Sequence, residues 1–70
     1  MERISVSSSN IATVGYDQKS STLEIAFHSG GVYQYHGVPQ DIYTGFIGAA
    51  SHGSYFHDHI RSVYPYKKVG

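Results

Sequence analysis

Seven tyrosines and five histidines stand in this 70-residue chain, and they are its richest source of chemistry. Histidine can ligate a metal or move a proton, but the spacing here does not gather a site. His57 and His59 are two apart, so on a helix they point about 200° away from each other and share no metal. His28 and His36 lie far apart along a hairpin, and His52 falls at a loop, where it suits the C-terminus of a preceding helix. There is no His-Glu-x-x-His pattern, and no Gly-x-Ser-x-Gly elbow activates a serine. Asp17, Asp41 and Asp58 are scattered, with no close pair for acid–base work. The expectation is a protein that is not an enzyme and holds no metal or cofactor.

Binding chemistry fits the residues better. Ser7-Ser8-Ser9-Asn10 either bonds its own backbone at the entry to a strand or offers neutral hydrogen-bonding groups to a phosphate or sugar. Tyr33 and Tyr35 are either rings of the inner sheet face or a stacking platform for bases. Tyr16, Tyr43, Tyr55, Tyr64 and Tyr66 are too many for so small a core, and surface tyrosines suit interfaces. The cations Arg61, Lys67 and Lys68 come late, and a last strand folded beside the second helix brings them to Tyr55, Tyr64 and Tyr66. An arginine there gives forked contacts to a phosphate while a neighbouring ring stacks a base.

These groups need elements to hold them. Ile11 to Tyr16 reads as a strand, and Thr22 to His28 as another, with Leu23, Ile25 and Phe27 on one face and Glu24, Ala26 and His28 on the other. A turn at Ser29-Gly30-Gly31 leads into a third strand over Val32 to Val38. This hairpin pairs odd positions with odd, so Tyr33 and Tyr35 join the apolar face. A one-residue slip would put Gln34 and His36 there instead. Ala12, Val14 and Tyr16 complete that face. Pro39 opens a helix carrying Ile42, Phe46, Ala49 and Ala50 at helical spacing, and His52-Gly53 ends it. Ser54 caps a second helix to Ser62, with Phe56 and Ile60 inward. Tyr64 to Val69 is a last strand, which Pro65 confines to an edge. The fold class is α+β: one domain over residues 1–70, an antiparallel sheet of about four strands in the order β-β-β-α-α-β, with the helices on one face.

Composition narrows the partners. Five Lys and Arg balance five Asp and Glu, so the chain lacks the basic excess that carries most nucleic-acid affinity. Without cysteine there is no disulfide and no thiolate zinc site. No apolar run of membrane-spanning length occurs, and the N-terminus shows no signal pattern, so a cytoplasmic protein is expected. A chain this short buries roughly 60% of its unfolded surface, and a homo-oligomer would complete the core and supply a concave site between subunits.

The ordered set Ser8-Ser9-Asn10-Ile11, Val14-Gly15-Tyr16-Asp17, Gly31-Val32-Tyr33-Gln34-Tyr35, Val38-Pro39, Gly53-Ser54-Tyr55-Phe56 and Ile60-Arg61 resembles the KTSC domain, from about Val6 to Lys68. That family implies a small domain found at the carboxy end of some lysyl-tRNA synthetases, and free-standing in bacteria and phages. The synthetase context implies RNA binding. For a phage-encoded member, one concrete version of nucleotide binding is a sponge that sequesters a nucleotide immune signal. His57 stands where the family often carries Asn.

Three expectations follow. The first is a homo-oligomer binding a nucleotide-like phosphate ligand through Ser8, Ser9, Asn10, Tyr35, Tyr55, Arg61, Tyr66 and Lys67. The second is RNA binding on the tyrosine-bearing sheet. The third is a protein–protein adaptor with no small ligand.

Overall fold

In the computed structural model, which describes all 70 residues, the strands are β1 (Arg3–Ser5), β2 (Ile11–Asp17), β3 (Thr22–Phe27), β4 (Val32–His36) and β5 (Tyr66–Lys68). The helices α1 (Gln40–Ile47) and α2 (His52–His59) lie between β4 and β5 in the chain. The sheet order is β1-β2-β3-β4-β5, antiparallel throughout. The α+β class stands, with five strands where about four were expected. The added strand is β1, whose residues are all exposed and so carry no apolar alternation to announce it.

The β3–β4 register pairs Leu23 with Tyr35 and Ile25 with Tyr33, the odd-with-odd parity expected. The turn sits one residue earlier than expected. The Phe27 amide bonds the Gly31 carbonyl at 2.9 Å, so the loop is His28-Ser29-Gly30, with Gly30 at a φ of 113°. Glycine meets that angle without the steric penalty a Cβ would bring.

β2 departs from plain alternation. Its register shifts between Ile11 and Thr13, a bulge at Ala12. The bulge lets Ile11 and Val14, of opposite parity, both reach full burial. Ile11 thus joins the core in the place expected for Ala12.

The core comprises Ile11, Val14, Leu23, Ile25, Tyr35, Val38, Phe46 and Ile60. Full burial of each aliphatic or phenyl side chain contributes about 1.5–3 kcal/mol, set against the ordering entropy of the chain. The passage from sheet to helix is pinned at Val38. Its amide bonds the Ser21 carbonyl at 2.9 Å, and its carbonyl accepts the Tyr16 hydroxyl at 2.5 Å. Tyr16 in turn stacks on Tyr43 of α1, with ring centroids 4.6 Å apart and planes 9° from parallel.

The helices differ from expectation at their junction. α1 ends at Ile47, with Gly48 as its cap, so Ala49 and Ala50 lie beyond it. His52 opens α2 rather than ending α1. Ser51, not Ser54, caps α2 by accepting the Ser54 amide at 3.2 Å. His52 still serves the end of α1 through its side chain. Nδ1 lies 2.9 Å from the Phe46 carbonyl oxygen, which only accepts, so Nδ1 carries the proton. α2 ends at His59, short of Ser62, and the chain turns on Ile60, whose carbonyl accepts the amides of Val63 and Tyr64. β5 returns to β4 within the same chain, as an edge strand, where the missing amide of Pro65 leaves no gap in the ladder.

Gly15 sits where the N-terminal segment crosses the sheet. A Cβ there would stand 2.6 Å from the Glu2 carbonyl oxygen and 2.9 Å from Arg3 Cγ. Gly15→Val is therefore expected to expel β1 and cost about 1–3 kcal/mol. Amide hydrogen exchange should show Arg3–Ser5 unprotected and β3–β4 still protected; retained protection in β1 would refute the crowding.

Candidate ligand groove

Alternation along β3, β4 and β5 delivers Phe27, Tyr33, Tyr35 and Tyr66 to the face that carries the helices. Phe56 of α2 descends onto them. Its ring lies 5.5 Å from Phe27 and 5.4 Å from Tyr35, edge to face in both cases. Tyr66 lies 5.5 Å from Tyr35 and 5.8 Å from Tyr33, and Tyr33 lies 5.7 Å from Phe27. These contacts make one continuous aromatic floor, graded from Tyr35 at 4% exposure to Tyr66 at 60%.

The floor belongs to a groove of about 670 Å³. Its rim is polar. Ser9 and Asn10 come from the turn before β2, His28 and Ser29 from the β3–β4 loop, and His57, Arg61 and Ser62 from α2 and the turn after it. Two of these segments are tied together. The Ser8 hydroxyl accepts the amides of Asn10 and Ile11, the His28 amide bonds the Asn10 carbonyl at 2.9 Å, and His28 Nε2 donates to the Ser8 carbonyl at 3.1 Å.

None of the 14 lining residues carries a carboxylate. Arg61 takes part in neither of the ion pairs, which are Arg3–Glu24 and the exposed His57–Asp58 contact. Its guanidinium has no protein anion to satisfy it. Burial raises the Tyr35 phenol pKa, the neighbouring Tyr66 and Tyr33 add to the rise, and Arg61 opposes it. The hydroxyl of Tyr35 is a neutral group at physiological pH.

Of the residues singled out from sequence, Ser9, Asn10, Tyr35, Arg61 and Tyr66 meet in this groove. Ser8 does not line it; its hydroxyl is spent on the turn that shapes the rim. Tyr55 lies elsewhere, beside Gly45, with its ring 6.0 Å from Phe46 and 4.5 Å from His59. Lys67 pairs with Gln34, and both alternate to the opposite face of the sheet from Tyr35 and Tyr66. Lys68, opposite Tyr33, is the β5 lysine on the groove's face. Phe27, Phe56, His28, Ser29 and His57 also line the groove and were not among the candidates. The parity argument already held the signal for Phe27; the hairpin loop and the α2 boundary did not. The concavity is formed by one chain, so no second subunit is required to create it.

The geometry belongs to a recognised class. The KTSC domain family matches residues 7–64, and the chain is a member of that family. An uncharacterized protein from Stutzerimonas stutzeri (strain A1501) is 36% identical over 56 residues, covering 80% of this chain and 79% of that protein. A crystal structure of a KTSC domain protein from Yersinia pestis superposes with a TM-score of 0.96 at 40% identity, covering 99% of this chain and 97% of that one. A lysine–tRNA ligase from Nostoc punctiforme (strain ATCC 29133 / PCC 73102) is 34% identical over 59 residues, which are 84% of this chain and 10% of the ligase. The chain thus spans about a tenth of that enzyme's length.

The raised Tyr35 pKa has a definite sign for stability. Between the unfolded value near 10 and the higher folded value, the unfolded state binds fewer protons, so stability falls as pH rises. The contribution is intact below pH 10. Melting curves from pH 9 to 11 should show the wild type losing more stability than Tyr35→Phe; equal losses would show that Tyr35 ionises freely in the folded protein.

Proposed function

We propose that this chain is a non-enzymatic binding module for a nucleotide-like phosphate ligand. The observation that carries the reading is an arginine free of any protein carboxylate beside an aromatic floor, in a groove lined by neutral hydroxyls and amides. A base stacks on an exposed ring such as Tyr66, at about 1–3 kcal/mol per base. Arg61 takes the phosphate through forked, charge-assisted hydrogen bonds. Ser9, Asn10 and Ser62 offer hydrogen bonds to sugar and phosphate oxygens. Nothing in this assignment requires a reactive group, and sequestration of a nucleotide signal is the role such a module would serve.

A homo-oligomer is part of the proposal. Val63, Tyr66 and Val69 are exposed large side chains on β5 or the segments flanking it, at 59%, 60% and 44%. A second copy over that end would bury Val63 and Val69 and add a wall beside the Tyr66 ring, deepening the groove.

RNA binding is the second reading, favoured by the sequence match to lysine–tRNA ligases. It asks for Tyr33 and Tyr35 to be exposed together, whereas Tyr35 is buried. The formal net charge of zero also gives little counterion release. The adaptor reading has no comparable observation in its favour.

A thermal-shift panel of nucleoside monophosphates, cyclic dinucleotides and tRNA tests the proposal. A small nucleotide at a hundred times its Kd should add about 2.7 kcal/mol and raise Tm by about 10 °C or more. Arg61→Ala, at an exposed position, should keep the fold and weaken that ligand at least about tenfold, the low end for a charged hydrogen bond. A shift with tRNA alone would transfer the assignment to RNA, and silence across the panel would overturn both.

A further inference from the structure

Behind the aromatic groove lies a second hollow of about 480 Å³. The two are contiguous: Ser9, Asn10, Gly53 and His57 line both. Their chemistry differs. The second hollow has a single hydrophobic lining residue, Ala50, and no lysine or arginine. Serines 7, 8, 9, 51 and 54 surround it, with Asp58 at its edge.

We infer that the ligand has two parts and belongs to the nucleoside diphosphate sugars, with the base on the aromatic floor and the sugar in the serine hollow. This rests on the groove reading above. Two features select a sugar over a further phosphate. Asp58 repels an anion but accepts hydrogen bonds from hydroxyls. The hollow also offers hydroxyls with capacity to spare. Ser7 and Ser9 side chains make no hydrogen bond within the protein, and the Ser54 hydroxyl accepts from Ser51 and keeps its own proton to donate.

Gly53 stands at the passage between the hollows, lining both. A Cβ there would meet only Asn10 Nδ2, at 3.7 Å, and any longer side chain would narrow the saddle. Arg61, on the turn that follows α2, lines the aromatic groove but not the serine hollow. That places the guanidinium on the groove side of the saddle. A pyrophosphate held there joins a base on one side to a sugar on the other.

The test is calorimetric titration of the full chain with ADP and ADP-glucose, and with UDP and UDP-glucose. For at least one pair, the sugar nucleotide should bind at least tenfold tighter than its diphosphate. Ala50→Leu and Ser54→Leu, which fill the hollow from two sides, should each abolish that gain and leave diphosphate affinity unchanged. Ala50 makes no side-chain hydrogen bond, so its variant retains the capping of α2. Diphosphate binding with no added gain from the sugar in either pair overturns this inference and leaves the groove reading standing. A gain that survives both leucine variants places the sugar elsewhere and overturns the inference too. Binding of none of the four overturns this inference, and the thermal-shift panel decides the groove reading separately.

Discussion

The pairing of β3 with β4 is the constraint on which the rest depends. Leu23 opposite Tyr35 and Ile25 opposite Tyr33 decide which side chains meet the helices and which meet water. Because side chains alternate with period two, slipping the pair by one residue would exchange every member of the two faces. Tyr33 and Tyr35 would turn outward, Gln34 and His36 would enter the core, and α2 would lose the rings that Phe56 rests on. β5 inherits the same choice through Tyr35 opposite Tyr66. One register therefore sets the core and the aromatic floor together.

The helices then close one end of that face and leave the other open. Phe46 is fully buried in the core, while Phe56 is shared between core and groove. The junction between helices is short and held by polar contacts: Gly48 ends α1, Ser51 caps α2, and the His52 ring ties α2 back to the Phe46 carbonyl. The opposite sheet face has no helix over it. It carries a polar row in which Glu24 meets Arg3 at 3.4 Å and Gln34 at 2.9 Å, with Lys67 next in register.

Much of this was legible in the sequence, and the failures have physical causes. Alternation in Leu23, Ile25 and Phe27 was enough to orient Tyr33 and Tyr35, because parity survives a small error in the turn. The serine cap was misplaced because Ser51 and Ser54 are equally able to accept an amide; the backbone at Ser51 decides between them. β1 was missed because an exposed edge strand has no buried face to reveal it. Lys67 was assigned to the groove by its nearness in sequence to Tyr66, although neighbours in a strand point to opposite sides. Ser9, Asn10, Arg61 and Tyr66 are candidates by chemical type that the fold gathers in one groove, whereas His28 and His57 join it only through the tertiary contacts that bring a hairpin loop to a helix.

The groove draws on the turn before the second strand, a hairpin, the second helix and the final strand, so no contiguous fragment contains it. Its walls come together only when the two ends of the chain have both docked. For the proposed ligand, occupancy and foldedness would form one linked equilibrium in a domain with a small core. Scarcity of that ligand would leave the polypeptide nearer to unfolding and to proteases, and abundance would protect it. The cellular lifetime of the protein would then become a reading of how much of that ligand is present.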